Sequence, residues 1–341
     1  MALQASGQIK YSEIIAEFGT PNNGGLGEFR ISENVGSLTN LPLDTGVPQS
    51  GQIKFSDFYS KKLNQVVDLY SIGNSTSRQN AKDRWNTGNV HIIGSTKTGK
   101  SQPPDTVDDR VIINVNATIR SVKGTQTHCA LRTGNWDSGT DLEIEIGTSG
   151  KLYGSGGDGG TGGNANETAG TDGQTGSSAL GIEYPCTVNN LGVIQSGYGG
   201  GGGGGGNTRT TGGGKKSGAV TNGSSGGGGG GGAGLPAGSA GGVSTPLAVG
   251  GGSAGSAGQA GSLSGQATGG GGGTEAGDGG NSSPVNNSAT KAEDGTQPSG
   301  AASGGTGGDN GYAIITNQGS APSLTGGGSL TGRTITSTNP T

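Results

Sequence analysis

Glycine placement is the feature that most limits what this chain can fold into. Of 81 glycines, 16 fall in residues 1–149 and 65 in residues 150–341, so one residue in three of the second part has no side chain. Such a stretch has few groups able to build an apolar core, which excludes most catalytic folds for it. Gly199–Gly206 is an unbroken run of eight, Gly226–Gly232 of seven and Gly269–Gly273 of five. Glycine and serine runs ordinarily behave as flexible coil. Collagen is excluded, because glycine at every third place and abundant proline are missing.

An internal repeat argues against a passive tether. LEIEIGTSGKLYGSGGDGG (142–160) recurs as TVNNLGVIQSGYGGGGG (187–203), aligning Gly150 with Gly192, Leu152 with Ile194 and Gly157 with Gly199. Each copy reads as an apolar strand, a turn glycine, an aliphatic pair and then a glycine run. The Ser/Thr/Asn-rich stretches 164–181, 207–225, 233–249 and 274–303 separate the runs and read as connections. Glycine can also form an extended left-handed helix with three residues per turn and a rise of about 3.1 Å. It keeps the N–H that proline lacks, so neighbouring helices can bond sideways and approach closely, at the cost of a large loss of chain entropy.

The first sixty residues carry another repeat: QIKYSEII (8–15), EFRISENV (28–35) and QIKFSDFY (52–59). Each begins with the two-residue alternation of a half-buried strand. Ser12, Ser32 and Ser56 then stand where a helix N-cap is expected, followed by Glu13, Glu33 and Asp57 in the first turn. Each unit therefore reads as a short strand running into a short helix.

From about 64 to 149 the chain is rich in strand signals: VHII (90–93), RVIINVNATIRSV (110–122) and DLEIEIG (141–147). In the last, Leu142, Ile144 and Ile146 face one way and Glu143 and Glu145 the other, which reads as a solvated face without a third metal ligand. Trp85 and Trp136 read as anchors of the small core available here. Gly94-Ser-Thr-Lys-Thr-Gly99-Lys100-Ser101 matches the phosphate-binding P-loop formally. That chemistry needs a helix to begin at the Lys-Ser pair, and Pro103 and Pro104 oppose one. His91 and His128, the two histidines, and Cys129 and Cys186, the two cysteines, make no catalytic or metal-ligating pattern. The thiols read as separate, although one bridge between them is open. No cofactor or metal is expected. A net charge of −4 with dispersed basic residues gives no nucleic-acid footprint. No stretch reads as a signal peptide or a membrane span.

Two resemblances follow. SGQIKYSEI and VPQSGQIKFSDFY resemble short modules of bacteriophage tail and fibre proteins; Val47, Pro48, Ser50, Gly51, Ile53, Phe55, Ser56, Asp57, Phe58 and Tyr59 carry the match. Gly150–Gly160 and Asn190–Gly202, with the rhythm of the glycine runs, resemble the glycine-rich receptor-recognising adhesins on the long tail fibres of T-even-type phages. That resemblance implies polyglycine helices packed in a sandwich, with loops touching outer-membrane proteins or surface glycans. It also implies assembly in the host cytoplasm and release by lysis, which needs no export signal.

The expected fold is mainly β and irregular: repeated virion-attachment modules in 1–63, a β-rich region in 64–149 and a polyglycine II helix domain with presenting loops in 150–341. The expected function is a non-enzymatic tail-fibre or tail-tip adhesin. The alternative is a purely structural virion component such as a shaft, collar or decoration protein. An ice-binding protein and a depolymerising enzyme fit less well. Expected partners are other tail or fibre proteins, as a homotrimer or as the cap of a trimeric fibre, and a host outer-membrane protein or glycan, without nucleic acid or membrane insertion. Receptor contact is expected in 207–225 and 274–303, through Arg209, Lys215, Lys216, Lys291, Glu293 and Asp294. Virion attachment is expected through Tyr11, Ile53, Phe55, Phe58 and Tyr59.

Overall fold

A computed structural model describes residues 3–69, 78–165, 168–211, 220–245, 248–249, 256–257, 259–262, 302–319, 321–336 and 338–341. The described residues are mainly β, with few and short helices. Most of the strands wind into a parallel coil whose second to fifth turns each lay one strand on each of three sheets, the first turn supplying two among the described residues. The first turn contributes Asn64–Asp68 and Gln79–Asn80, and the second Arg110–Val115, Thr118–Arg120 and Cys129–Arg132. The third contributes Asp141–Ile146, Lys151–Tyr153 and Ser178–Ile182; the fourth Thr187–Asn190, Val193–Gln195 and Tyr312–Thr316. The fifth contributes Ser323–Thr325, Ser329–Thr331 and Arg333–Ile335.

Register stacks like side chains along the coil. Val67, Ile113, Ile144, Val188 and Leu324 form one column. Ile119, Leu152, Ile194 and Leu330 form a second, and Leu131, Leu180 and Ile314 a third. All but Leu324 and Leu330 are fully buried in one core enclosed by the three sheets. The aligned pair Leu152 and Ile194 is thus a pair of direct neighbours in parallel strands. The carbonyl of Gly150 accepts from the Val193 amide at 3.0 Å.

Side chains alternate across a strand, so the outer face of the first sheet serves a second core. Val66 and Ile112 pack there with Ile14, Phe18, Phe29 and Phe58 of the N-terminal segment. The three phenylalanines meet edge-on or tilted, with centroids 5.5–6.3 Å apart. The repeated units differ from expectation in how their helices start. The Tyr11–Phe18 helix and the 3-10 turn Phe55–Phe58 have Lys10 and Lys54 as N-caps. Glu13 and Asp57 bend back to accept from the Lys10 and Lys54 amides at 2.8 and 2.7 Å. A carboxylate three residues in satisfies an orphan donor as well as a serine hydroxyl does, so Ser12 and Ser56 lie inside the first turn. The residues before each helix are extended but pair in no ladder. The middle copy diverges: a 3-10 turn, Leu26–Phe29, precedes the serine, and Glu33 opens a hairpin strand, Glu33–Val35, paired with Leu38–Leu41.

The start of the coil is covered. Trp85, on the Ala81–Asn86 helix, meets Trp136 at 6.2 Å, with the Lys82 ammonium 4.2 and 4.8 Å from the two rings. The indole of Trp85 donates to Gln65 Oε1 at 2.7 Å, and Gln65 Nε2 donates to the buried Asp109 carboxylate. Burial, with Glu17 nearby, pushes Asp109 up to about 6. On the third turn, burial and a shared hydrogen bond with Glu143 push Glu145 up to about 7, although Asn189 donates to it at 2.8 Å. Arg110 pairs with Glu143 at 2.6 Å and, against burial, holds it ionised. The two carboxylates are therefore half-buried and partnered on their shared face.

Both raised carboxyls bind protons more tightly when folded. Their contribution is complete below the unfolded values near pH 4 and is lost as pH rises through about 6 and 7. We expect the midpoint of thermal unfolding to fall between pH 5 and pH 8, each group contributing about 1–2 kcal/mol after solvent screening. Glu145→Gln should flatten the upper part of that profile in a calorimetric pH series.

Candidate host-contact surface and its glycine scaffold

The glycine-rich chain leaves the coil at one corner of successive turns. Residues 154–177 lie between the second and third strands of the third turn, and residues 196–311 between those of the fourth. Strands on both sides of residue 150 therefore share the same sheets.

Outside the coil, extended segments are tied to one another by backbone hydrogen bonds at every third residue. Gly197, Gly200, Gly203 and Gly206 donate to the carbonyls of Ser177, Gln174, Thr171 and Thr168, and Tyr198, Gly201 and Gly204 donate to Ala233, Gly230 and Gly227. The carbonyls of Gly197, Gly200, Gly203 and Gly206 in turn accept from Gly311, Gly308, Gly305 and Ala302. Segment 154–163 uses two sets: Gly157, Gly160 and Gly163 donate to Tyr198, Gly201 and Gly204, while Gly156, Gly159 and Gly162 donate to Pro236, Ser239 and Gly242. All these bonds are 2.7–3.0 Å long.

Side chains are excluded by this spacing. A Cβ on Gly200, Gly203, Gly229 or Gly241 would lie about 2.0 Å from a carbonyl oxygen of the neighbouring segment. How much glycine a segment needs depends on how many neighbours it has. Residues 199–206 and 226–232, the two long runs, contact four other segments each; 170–176 needs only Gly170, Gly173 and Gly176. The stretches 164–181 and 233–249, which read as connections, thus contribute bonded segments at 170–176 and 238–242, because one glycine in three suffices at the edge. Asp158 marks one such edge. Burial raises its carboxyl, but the Lys123 ammonium and the Ser239 amide, at 2.6 Å, outweigh this and hold it below its usual range.

The direction of the bonds places the segment ends. Residues 197–206 run away from the coil and 226–234 run back towards it. Between them, remote from the coil, Asn207–Thr211 pairs antiparallel with Val220–Ser224, which Ala248–Val249 extends to three strands. Arg209 lies on this hairpin opposite Asn222. Lys215, Lys216, Lys291, Glu293 and Asp294 lie outside the described residues. Of the expected attachment residues, Phe58 is fully buried, Tyr11 packs edge-on against Phe29, and Tyr59 donates its hydroxyl to the Gly7 carbonyl. Ile53 is partly buried, and Phe55 is 41% exposed.

The remaining sequence motifs have structural roles. Ser95–Thr98 forms one helical turn that ends at the left-handed Gly99, where a phosphate site would need a helix to begin. Gly94 donates to Glu33 at 3.1 Å, and Lys100 donates to the Ala16 carbonyl at 2.7 Å. His91 meets Glu33 at 2.8 Å. Cys129 and Cys186 are free thiols, both pushed up to about 12 by burial. No helix among the described residues is long and apolar enough to cross a membrane.

A parallel coil that holds a laterally bonded glycine scaffold, with a hairpin raised at its remote end, is the architecture of a display protein. The chain belongs to the family Phage tail fibre adhesin Gp38, whose model matches residues 80–337. It is a virion-associated, receptor-binding protein of the phage tail fibre, binding other tail proteins and the host surface, and its family's role is adhesion rather than catalysis. No curated protein and no solved structure gave a match.

Proposed function

We propose that the glycine segments are polyglycine II helices, and that this lattice presents loops 207–225 and 274–303 to an outer-membrane protein or surface glycan. The three-residue period of the lateral bonds carries the reading, because a helix with three residues per turn repeats each face at that interval. Eight residues of such a helix span about 25 Å, which sets the hairpin well clear of the coil. Arg209, Lys215, Lys216 and Lys291 would pair with acidic surface groups, and Glu293 and Asp294 with basic ones. Residues 1–63 would attach to the virion, with Phe55 the exposed member of the expected set. Residues 64–149 and 150–341 would supply the support and the display region of a protein that is trimeric or caps a trimeric fibre. Assembly in the host cytoplasm and release by lysis complete the proposal.

Amide hydrogen exchange should find 154–163, 197–206 and 226–234 protected. Uniformly fast exchange across all of them would refute the lattice. Exchanging 207–225 or 274–303 with the corresponding loop of a phage of different host range should move host range with the loop. Host range that follows neither loop would refute the receptor assignment.

A further inference from the structure

A cavity of about 470 Å³ opens where the N-terminal segment meets the start of the coil. The helix Tyr11–Phe18 and the connection 100–109 both contribute to its lining. So do Leu63 and Asp109, each one residue before the paired strands Asn64–Asp68 and Arg110–Val115. Small-molecule sites are commonly about 300–1,000 Å³ in size, so the space suits a compact ligand rather than a protein surface.

Two kinds of group line it. Leu3, Leu63 and Pro103 supply aliphatic surface, and four carboxylates stand among them in two tiers. Glu17 and Asp109 form the inner tier, 5% and 4% exposed; Glu13 is half-buried and Asp105 exposed. Glu13 and Glu17 are about one helical turn apart on the same face, a rise of about 6 Å. Among the described residues of the lining the one cation is Lys100, which donates to the Ala16 carbonyl at 2.7 Å. A small hard cation needs oxygens that converge on one point, and no group of three or more acidic, histidine or cysteine side chains among the described residues does so. A neutral apolar ligand would bury the inner carboxylates without compensation. An extended cation meets both demands, its methylene stem on the aliphatic surface and its positive groups at separate tiers. Burial, and then the charge of Glu17, pushes the Asp109 carboxyl up to about 6, the direction that added positive charge would reverse.

We propose that this cavity binds a linear aliphatic polyamine, one ammonium lying between Glu17 and Asp109 and the next at Glu13 and Asp105. A four-carbon stem spans the separation of the two tiers. The ligand touches the N-terminal helix and the 100–109 connection at once, so it braces the N-terminal segment against the coil and stabilises the folded chain by mass action. The inference is independent of which loops touch the host.

The test titrates full-length protein with putrescine in a calorimeter and follows its melting temperature. Binding should be saturable, and the melting temperature should rise with putrescine concentration. 1-Aminobutane, with the same stem and one ammonium, should bind at least tenfold more weakly, and Mg²⁺ at equal charge should not displace putrescine. Glu17→Gln keeps an acceptor for the Leu63 amide, which Glu17 binds at 2.9 Å, and should weaken binding at least tenfold. Asp105→Asn, at the exposed tier, should weaken it at least threefold and leave the melting temperature of the ligand-free protein unchanged. Absence of saturable binding overturns the proposal, as do equal affinities for putrescine and 1-aminobutane, displacement by Mg²⁺, or wild-type affinity in both variants. Binding that appears only once the chain's α-amine is acetylated also overturns it, since the occupant would then be the protein's own ammonium.

Discussion

Gly203→Ala is expected to destabilise the scaffold by about 3 kcal/mol or more, at or above the upper end of ordinary overpacking. The added methyl would sit 2.0 Å from the Thr161 carbonyl oxygen and 2.4 Å from its carbon. In an ordinary core a neighbouring side chain turns aside; here the neighbour is backbone. It cannot move without breaking other bonds, because Thr161 accepts from Thr171, and Gly203 itself donates to Thr171 and accepts from Gly305. Gly242→Ala is the matched control. A Cβ there meets nothing within 4 Å, so the change should stay within about 1 kcal/mol, the methyl limiting the unfolded chain without a clash in the folded one. Thermal unfolding and host adsorption of the two variants check this. Equal effects would mean that close packing of residues 197–206 is not what holds the scaffold.

Leu152→Ala should cost about 2–5 kcal/mol, the range for removing a large aliphatic side chain from a closed core. Leu152 is fully buried between Ile119 and Ile194, on the strand from which the first glycine insertion departs. The cavity therefore opens beneath the root of segment 154–163. Exchange protection should fall in 154–163 as well as in the neighbouring strands of the coil. A drop in melting temperature without loss of protection in that segment would show that the scaffold holds together without its seat on the coil.

Much of the β architecture was legible. The alternation in DLEIEI places Leu142, Ile144 and Ile146 inward, and the 42-residue offset between Leu152 and Ile194 is the distance from one turn of the coil to the next. The offset was visible because parallel stacking demands like residues at like positions. The N-cap assignment was misplaced by two residues because serine is the favoured cap type, whereas here Glu13 and Asp57 accept from the amides of Lys10 and Lys54 three residues earlier, and only geometry shows where the helix begins. The last turn was not legible at all. Its strands are three residues long, too short for periodicity to register, and two of their three partner strands lie about 136 residues earlier in sequence, as with Leu330 and Ile194.

The sequence by itself determined that the glycine runs within residues 150–341 could not build an oily core, that their glycine would have to be accommodated by backbone pairing or remain a tether, and that the chain resembled phage tail adhesins; that Leu152, Leu180, Val188, Ile194 and Ile314 of the same region complete the core of the coil came only with the structure. Tertiary structure alone decided which glycines were indispensable. A glycine run and a one-in-three pattern look like different kinds of chain when read along the sequence, yet 199–206 and 170–176 are joined in the same bonded array. The number of neighbours on each side of a segment sets how many of its positions must lack a side chain. That number belongs to the packing and is written in no local stretch of sequence.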